Sequence, residues 1–170
     1  MRVVAGAFKG RTLHAPAGAK VRPTSDKVRG AIFNVLGDVE GLHVLDLFAG
    51  TGALGIEALS RGAADVAFVD TDPAPARRNL DAIGIETKVH RRDALQWLRQ
   101  TDARFDLVFA DPPYSSAPSL GDGLTELLPA VLSKNARIVT ESDKRAPLEL
   151  GFPLEFERDY GDTRIRIHRV

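Results

Sequence analysis

Val44-Leu-Asp-Leu-Phe-Ala-Gly-Thr-Gly-Ala-Leu-Gly55 decides the fold. An apolar run that breaks into glycines and resumes as an apolar helix pattern reads as a buried strand, a tight turn and a helix over 53–61, closed by Arg61-Gly62. Gly50, Gly52 and Gly55 keep the G-x-G-x-x-G spacing. Asp70 follows twenty residues after Gly50, at the end of a second apolar run, Ala67-Phe-Val-Asp70. In the dinucleotide fingerprint the glycines admit close backbone approach, the helix N-terminus receives an anionic group and the acid takes ribose hydroxyls. That spacing suits a nicotinamide cofactor and S-adenosylmethionine alike, since both carry an adenosine ribose. Asp46 favours the second by charge: a carboxylate beneath the turn repels a pyrophosphate and attracts a sulfonium or ammonium. The same carboxylate would equally brace the loop.

Outward from this stretch, strand and helix patterns alternate. Strands are expected over 43–48, 65–70, 86–90, 105–110 and 136–141, with helices over 53–61, 73–83, 93–100 and about 120–133. Such alternation gives a doubly wound parallel sheet with ligands at the carboxyl ends of its strands. Gly50, Asp70, Asp93 and Asp111 fall at four successive strand ends. Residues 154–158 and 163–168 alternate at period two around Asp159-Tyr-Gly-Asp162, which reads as a closing hairpin. The methyltransferase version of the sheet ends this way, with its last strand antiparallel. Upstream, 2–6 and 10–15 suggest two short strands. A Pro/Gly loop then leads to a helix over 26–36, capped by Thr24 or Ser25. Its apolar face is read as Val28, Ala31, Ile32, Val35 and Leu36, and Gly30 inside it costs roughly 1 kcal/mol against alanine.

The second chemical signature is Asp111-Pro-Pro-Tyr114, directly after the apolar run 105–110. A carboxylate and a carbonyl held rigid by Pro112 and Pro113 can accept both protons of an exocyclic amine. This bends the nitrogen towards tetrahedral geometry and localises its lone pair. Tyr114 offers a flat face for a base, a contact worth about 1–3 kcal/mol. A Pro-rich turn capped by Asp111 is the plainer reading, made the weaker by the glycine loop upstream.

The 170 residues, 44% hydrophobic and 27% charged, suit one domain with a single substantial core. Cysteine is absent, which rules out disulfides, thiolate metal sites and ring-carbon methylation through a thiol adduct. No apolar stretch approaches the ~20 residues that cross a bilayer, and no signal-peptide pattern opens the chain, so a soluble cytoplasmic protein without membrane partners is expected. Lysine plus arginine and aspartate plus glutamate balance at 23 each, yet residues 1–29 hold seven basic residues against the lone Asp26. A basic arm on an otherwise acidic body is a phosphate-binding footprint whose binding weakens with salt.

Together these residues resemble the RsmD-type methyltransferases. The resemblance runs through Arg2–Leu13 (Arg-Val-Val-Ala-Gly-x-x-Lys-Gly-Arg-x-Leu), Arg22-Pro-Thr-Ser-Asp-x-Val-Arg29, Ile32-Phe-Asn-Val-Leu36, 45–58 and 111–114. Lys-Gly-Arg together with Arg-Pro-Thr-x-Asp is its most specific part. Gly30 stands where the family pattern has glutamate, and Asp70 replaces the commoner glutamate.

The resemblance implies an α/β, Rossmann-like class I S-adenosylmethionine-dependent methyltransferase sheet, with a C-terminal antiparallel hairpin and a short N-terminal β-hairpin extension. It implies a single domain, 1–170, made of a basic RNA-binding extension (1–24) and a catalytic core (25–170). The activity implied is methyl transfer to a guanine N2 of small-subunit (16S) ribosomal RNA, within an assembled or assembling subunit. For the cofactor it implies Thr24, Asp46, Phe48, Ala49, Gly50, Thr51 and Gly52 at the methionine end, Asp70 at the ribose hydroxyls, and Thr71 as a further cofactor contact. Asp93, Ala94 and Leu95 would lie at the adenine, with Asp111 facing both cofactor and target. Asp111, Pro112, Pro113 and Tyr114 would be catalytic, and Arg2, Lys9, Arg11, Arg22 and Arg29 would contact RNA phosphates. No metal is required, and a monomer is expected.

Three other classes compete. An adenine-N6 DNA methyltransferase shares the Asp-Pro-Pro-Tyr chemistry, but its usual target-recognition insertion hardly fits in 170 residues. A dehydrogenase would leave Asp111–Tyr114 unexplained, and a non-catalytic RNA-binding module would leave the cofactor loop without purpose. His14, His43, His90 and His168 keep no metal-ligand spacing. Trp97 reads as packing, Arg91-Arg92 as a solvated loop, and Ser115 and Ser116 lack the partners of a serine nucleophile.

Overall fold

The computed structural model describes residues 1–15, 25–113 and 115–170. The elements run α1 (Asp26–Leu36), β1 (His43–Leu47), α2 (Ala53–Ser60), β2 (Asp65–Asp70), α3 (Ala74–Ile83), β3 (Val89–Arg91) and α4 (Ala94–Leu98). They continue with β4 (Phe105–Ala110), α5 (Ala117–Leu127), β5 (Leu132–Asp143), β6 (Leu154–Tyr160) and β7 (Thr163–Arg169). The seven strands form one sheet in the order β3-β2-β1-β4-β5-β7-β6. β1 to β5 pair in parallel, whereas β7 is antiparallel to both neighbours. Strand order reverses beside β1, so the crevice between the ends of β1 and β4 is the topological switch point where such sheets bind ligands.

Burial follows the sequence patterns on both faces. Val44, Leu107, Phe109 and Val139 point to one side, with α1, α2 and the N-terminal segment; Leu45, Leu47, Val108 and Ile138 point to the other, with α4 and α5. Strands covered on both faces read as continuous apolar runs, which is why β1 and β4 stood out in the sequence.

Several boundaries differ from expectation for identifiable reasons. The helix expected to reach residue 133 stops at Leu127 and passes through a 3₁₀ turn, Leu128–Ala130, because Pro129 cannot continue an α-helix. β5 begins at Leu132, four residues early, and is kinked by a register shift opposite Phe105 and Leu107. The two N-terminal strands reduce to a single antiparallel bridge, Arg2 to Thr12, so the expected hairpin extension is a docked loop with one bridge. The face of α1 is also rotated. Phe33 and Arg29 lie inside with Ile32 and Leu36, while Val35 remains 42% exposed. Ser25 is the N-cap, its Oγ accepting from the Val28 N–H at 3.2 Å.

Candidate active site

The glycine loop is shaped by a run of left-handed residues. Phe48 has φ of 61°, Gly50 53° and Gly52 74°. Left-handed backbone is costly for a side chain as large as phenylalanine and is held in place only by its surroundings, a condition common at ligand sites. Asp70 Oδ2 accepts the Gly50 N–H at 2.8 Å, fixing the turn to the end of β2, while its Oδ1 accepts the Asp72 N–H. Gly55 has a different reason to be glycine: a Cβ there would lie 2.3 Å from the Phe68 ring.

Asp46 sits under this turn, 2% exposed, with Oδ2 accepting the Gly55 N–H at 2.9 Å. Its carboxyl braces the first turn of α2 and lines the cavity at once. Burial pushes its pKa up to about 8; the Gly55 hydrogen bond opposes this and the neighbouring Asp70 charge adds to it. Near neutral pH it is mostly protonated until a cation lies against it, which refines the simple carboxylate picture.

A cavity of about 450 Å³ opens at the carboxyl ends of β1, β2 and β4, within the range of small-molecule sites. Its wall includes Asp46, Phe48, Ala49, Gly50, Thr51, Asp70, Thr71, Asp93, Ala94, Asp111 and Pro113. The three strand-end acids, Asp70, Asp93 and Asp111, therefore face one space together with Asp46 from within β1. Asp93 Oδ1 caps α4 by accepting the Gln96 N–H at 3.0 Å, leaving Oδ2 for other work. The Pro113 carbonyl accepts from the Ser116 N–H and Oγ at 2.9 Å each.

Other expected residues lie elsewhere. Gly52 is buried against Ala76, Phe68 and Ile56 as the cap of α2, and Pro112 is buried, neither of them in the cavity wall. The Leu95 side chain turns towards Gly123 and the α4–α5 core and is not in the cavity wall. Thr24, Arg22 and Tyr114 lie outside the described residues. Sequence reasoning missed Pro75, Arg92 and Leu120, which also line the cavity. Their signal was position alone, each within a few residues of a strand-end acid or the Asp-Pro-Pro turn.

The basic N-terminal set divides. Arg2, Lys9 and Arg11 are exposed. Arg29 is not: its side chain is 0% exposed, ion-paired to Glu57 at 3.3 Å and Asp26 at 3.0 Å, and donates to the Arg2 carbonyl. It cannot reach a phosphate, which corrects its assignment to RNA. Glu57, itself 0% exposed, accepts the Val4 and Ala5 N–H groups at 2.8 and 3.0 Å and pairs with Arg61 at 2.8 Å. Ser60 continues the seam, its carbonyl accepting the Ala7 N–H and its Oγ the Phe8 N–H. The N-terminal segment is thus clipped to α2 through buried polar groups, and Val3 and Leu13 complete the core beneath it.

Among the described residues no helix is long and apolar enough to cross a membrane, and no group of three or more His, Asp or Glu is placed to hold a metal. The model of the family described as Conserved hypothetical protein 95 matches residues 1–169. YlbH of Bacillus subtilis is 40% identical over 99% of this chain and 98% of its own. Ribosomal RNA small subunit methyltransferase D of Haemophilus influenzae is 35% identical over 87% of this chain and 81% of its own. The solved structure of yhhF from Escherichia coli superposes with a TM-score of 0.85 at 31% identity, covering 99% of this chain and 97% of that one.

Proposed function

Since the chain belongs to the Conserved hypothetical protein 95 family, we propose that it transfers a methyl group from S-adenosylmethionine to the exocyclic N2 of a guanine in small-subunit ribosomal RNA. The resemblance to the RsmD-type enzymes is borne out by that family match and by the Haemophilus influenzae relative that carries the methyltransferase name. The observation that carries the reading is the meeting of Asp46, Asp70, Asp93 and Asp111 around one cavity.

The cavity fits the cofactor. Asp46, buried with its carboxyl pushed up, gains most from a cation, and Asp70 has the reach for ribose hydroxyls. Asp93 shares the cavity wall with the apolar Ala94, Pro75 and Leu120, which suit an adenine. When bound, the cofactor supplies a methyl group on a sulfonium, a carbon open to direct attack by a neutral amine.

The chain's own part is placement. Asp111 and the Pro112 carbonyl accept the two amine protons and aim the nitrogen lone pair into the cavity. Holding nucleophile and carbon in line supplies most of what such a displacement needs. No strong base is required, because the amine sheds its proton after attack. The guanine must be unpaired or flipped to enter. Arg2, Lys9 and Arg11, all exposed on the docked segment, provide phosphate contacts, with Arg22 as a further candidate. The protein acts as a monomer in the cytoplasm, on RNA held in an assembled or assembling small subunit.

Transfer of labelled methyl to unmodified small-subunit particles, naked ribosomal RNA and DNA, followed by nucleoside analysis, tests this. The expected product is N2-methylguanosine from particles. Label found only as N6-methyladenine in DNA would overturn the substrate and leave the cofactor standing.

A further inference from the structure

Asn79 is fully buried on the inner face of α3 and takes no part in the cavity wall. Its amide joins two distant pieces of backbone. Oδ1 accepts the His14 N–H at 2.8 Å, and Nδ2 donates to the His14 carbonyl at 3.0 Å. Nδ2 also donates to the Thr51 carbonyl at 2.9 Å. Both amide protons and the oxygen are used, so no other side chain of similar size can substitute. His14 lies on the segment that Glu57 and Ser60 clip to α2, and Thr51 belongs to the glycine loop that lines the cavity.

We propose that Asn79 is a positioning residue that ties the glycine loop to the docked N-terminal segment, so that the loop keeps its ligand-receiving shape only while that segment is docked. The left-handed residues Phe48, Gly50 and Gly52 give the loop a shape that its surroundings must enforce. Asp70 enforces it from β2 through the Gly50 N–H, and Asn79 enforces it from α3 through the Thr51 carbonyl. A ligand that orders the loop then also orders residue 14, and the coupling is reciprocal. This inference rests on reading the cavity as the S-adenosylmethionine site.

The test is calorimetric titration of the full chain with S-adenosylhomocysteine, joined to amide exchange at His14 with and without that ligand. Asn79→Asp keeps the acceptor for the His14 N–H but sets a carboxylate against two carbonyls, and affinity should fall at least fivefold. Ile83→Val, a core change on the same helix, should lower the melting temperature and leave affinity within twofold. In the wild type, ligand should slow His14 exchange at least threefold, a readout that stands even if Asn79→Asp does not fold. A smaller affinity loss in folded Asn79→Asp, an equal loss in Ile83→Val, or indifferent His14 exchange would overturn the inference alone. Failure of the wild type to bind S-adenosylhomocysteine would overturn the cofactor reading beneath it.

Discussion

The glycine loop and the N-terminal segment are both tied to α2 and α3, and both hang backbone N–H groups on carboxylates, yet they differ in what shapes them. The loop is shaped by backbone: left-handed residues and a glycine where no Cβ fits. The segment is held by buried charge, with Glu57 and Arg29 both excluded from solvent beneath Val4 and Ala5. Backbone shape writes itself into sequence as glycine spacing. Buried charge does not, because an inward arginine and an outward one are the same letter.

The largest effect should come from breaking the segment's anchor. Glu57→Ala leaves the Arg29 guanidinium buried without its full partner set, and removing one member of a buried pair costs about 3–5 kcal/mol. Denaturant unfolding should register that loss. An effect below about 1 kcal/mol would mean that water enters the seam and that the two regions are held alike.

The loop's counterpart is a pH effect at Asp46. Its folded pKa, about 8, lies above the ordinary 3.8, so the native protein holds a proton that the unfolded chain has released. This contribution to stability is complete below about pH 4 and is lost as pH climbs towards 8. A cationic ligand must displace the same proton. Binding of S-adenosylmethionine should therefore strengthen between pH 6 and 8, by up to about tenfold per pH unit. Asp46→Asn, titrated over the same range, should remove that part of the slope. Equal slopes in the two proteins would place the titrating group elsewhere.

Smaller effects sharpen the contrast within the segment. Gly30→Ala should stabilise by about 0.5–1 kcal/mol, since a Cβ there meets Val4 at an ordinary 3.6 Å and the helix gains propensity. A lower melting temperature would show that the glycine has a packing role. Arg11→Ala, at an exposed position, should leave stability within about 0.5 kcal/mol. It should flatten the log-affinity against log-salt slope for RNA by about 0.7–0.9, the value of one phosphate contact. An unchanged slope would remove Arg11 from the RNA footprint.

The strand–helix alternation, the parallel sheet it implies and the strand-end acids were legible because apolar runs, glycines and aspartates alternate as such a sheet demands. The order of strands within the sheet was not read from the sequence. The closing hairpin was legible from period two and its Gly161-Asp162 turn. The contacts of the N-terminal segment were not, since most pair side chains with backbone more than fifty residues away. One signal was present: Arg29 precedes Ile32, Phe33 and Leu36 by three, four and seven residues, the spacing of one helix face. A charged residue in that register belongs inside, with a partner. Glu57, three and four residues after Leu54 and Ala53, obeys the same rule.

The most direct test of the central claim compares Asp111→Ala with the wild type in single-turnover methyl transfer to small-subunit particles, alongside S-adenosylhomocysteine affinity. If Asp111 aims the target amine, transfer falls about 100-fold or more, as expected from lost alignment, while ligand affinity changes far less. Transfer at the wild-type rate would contradict the account, and so would a loss of affinity as large as the loss of transfer.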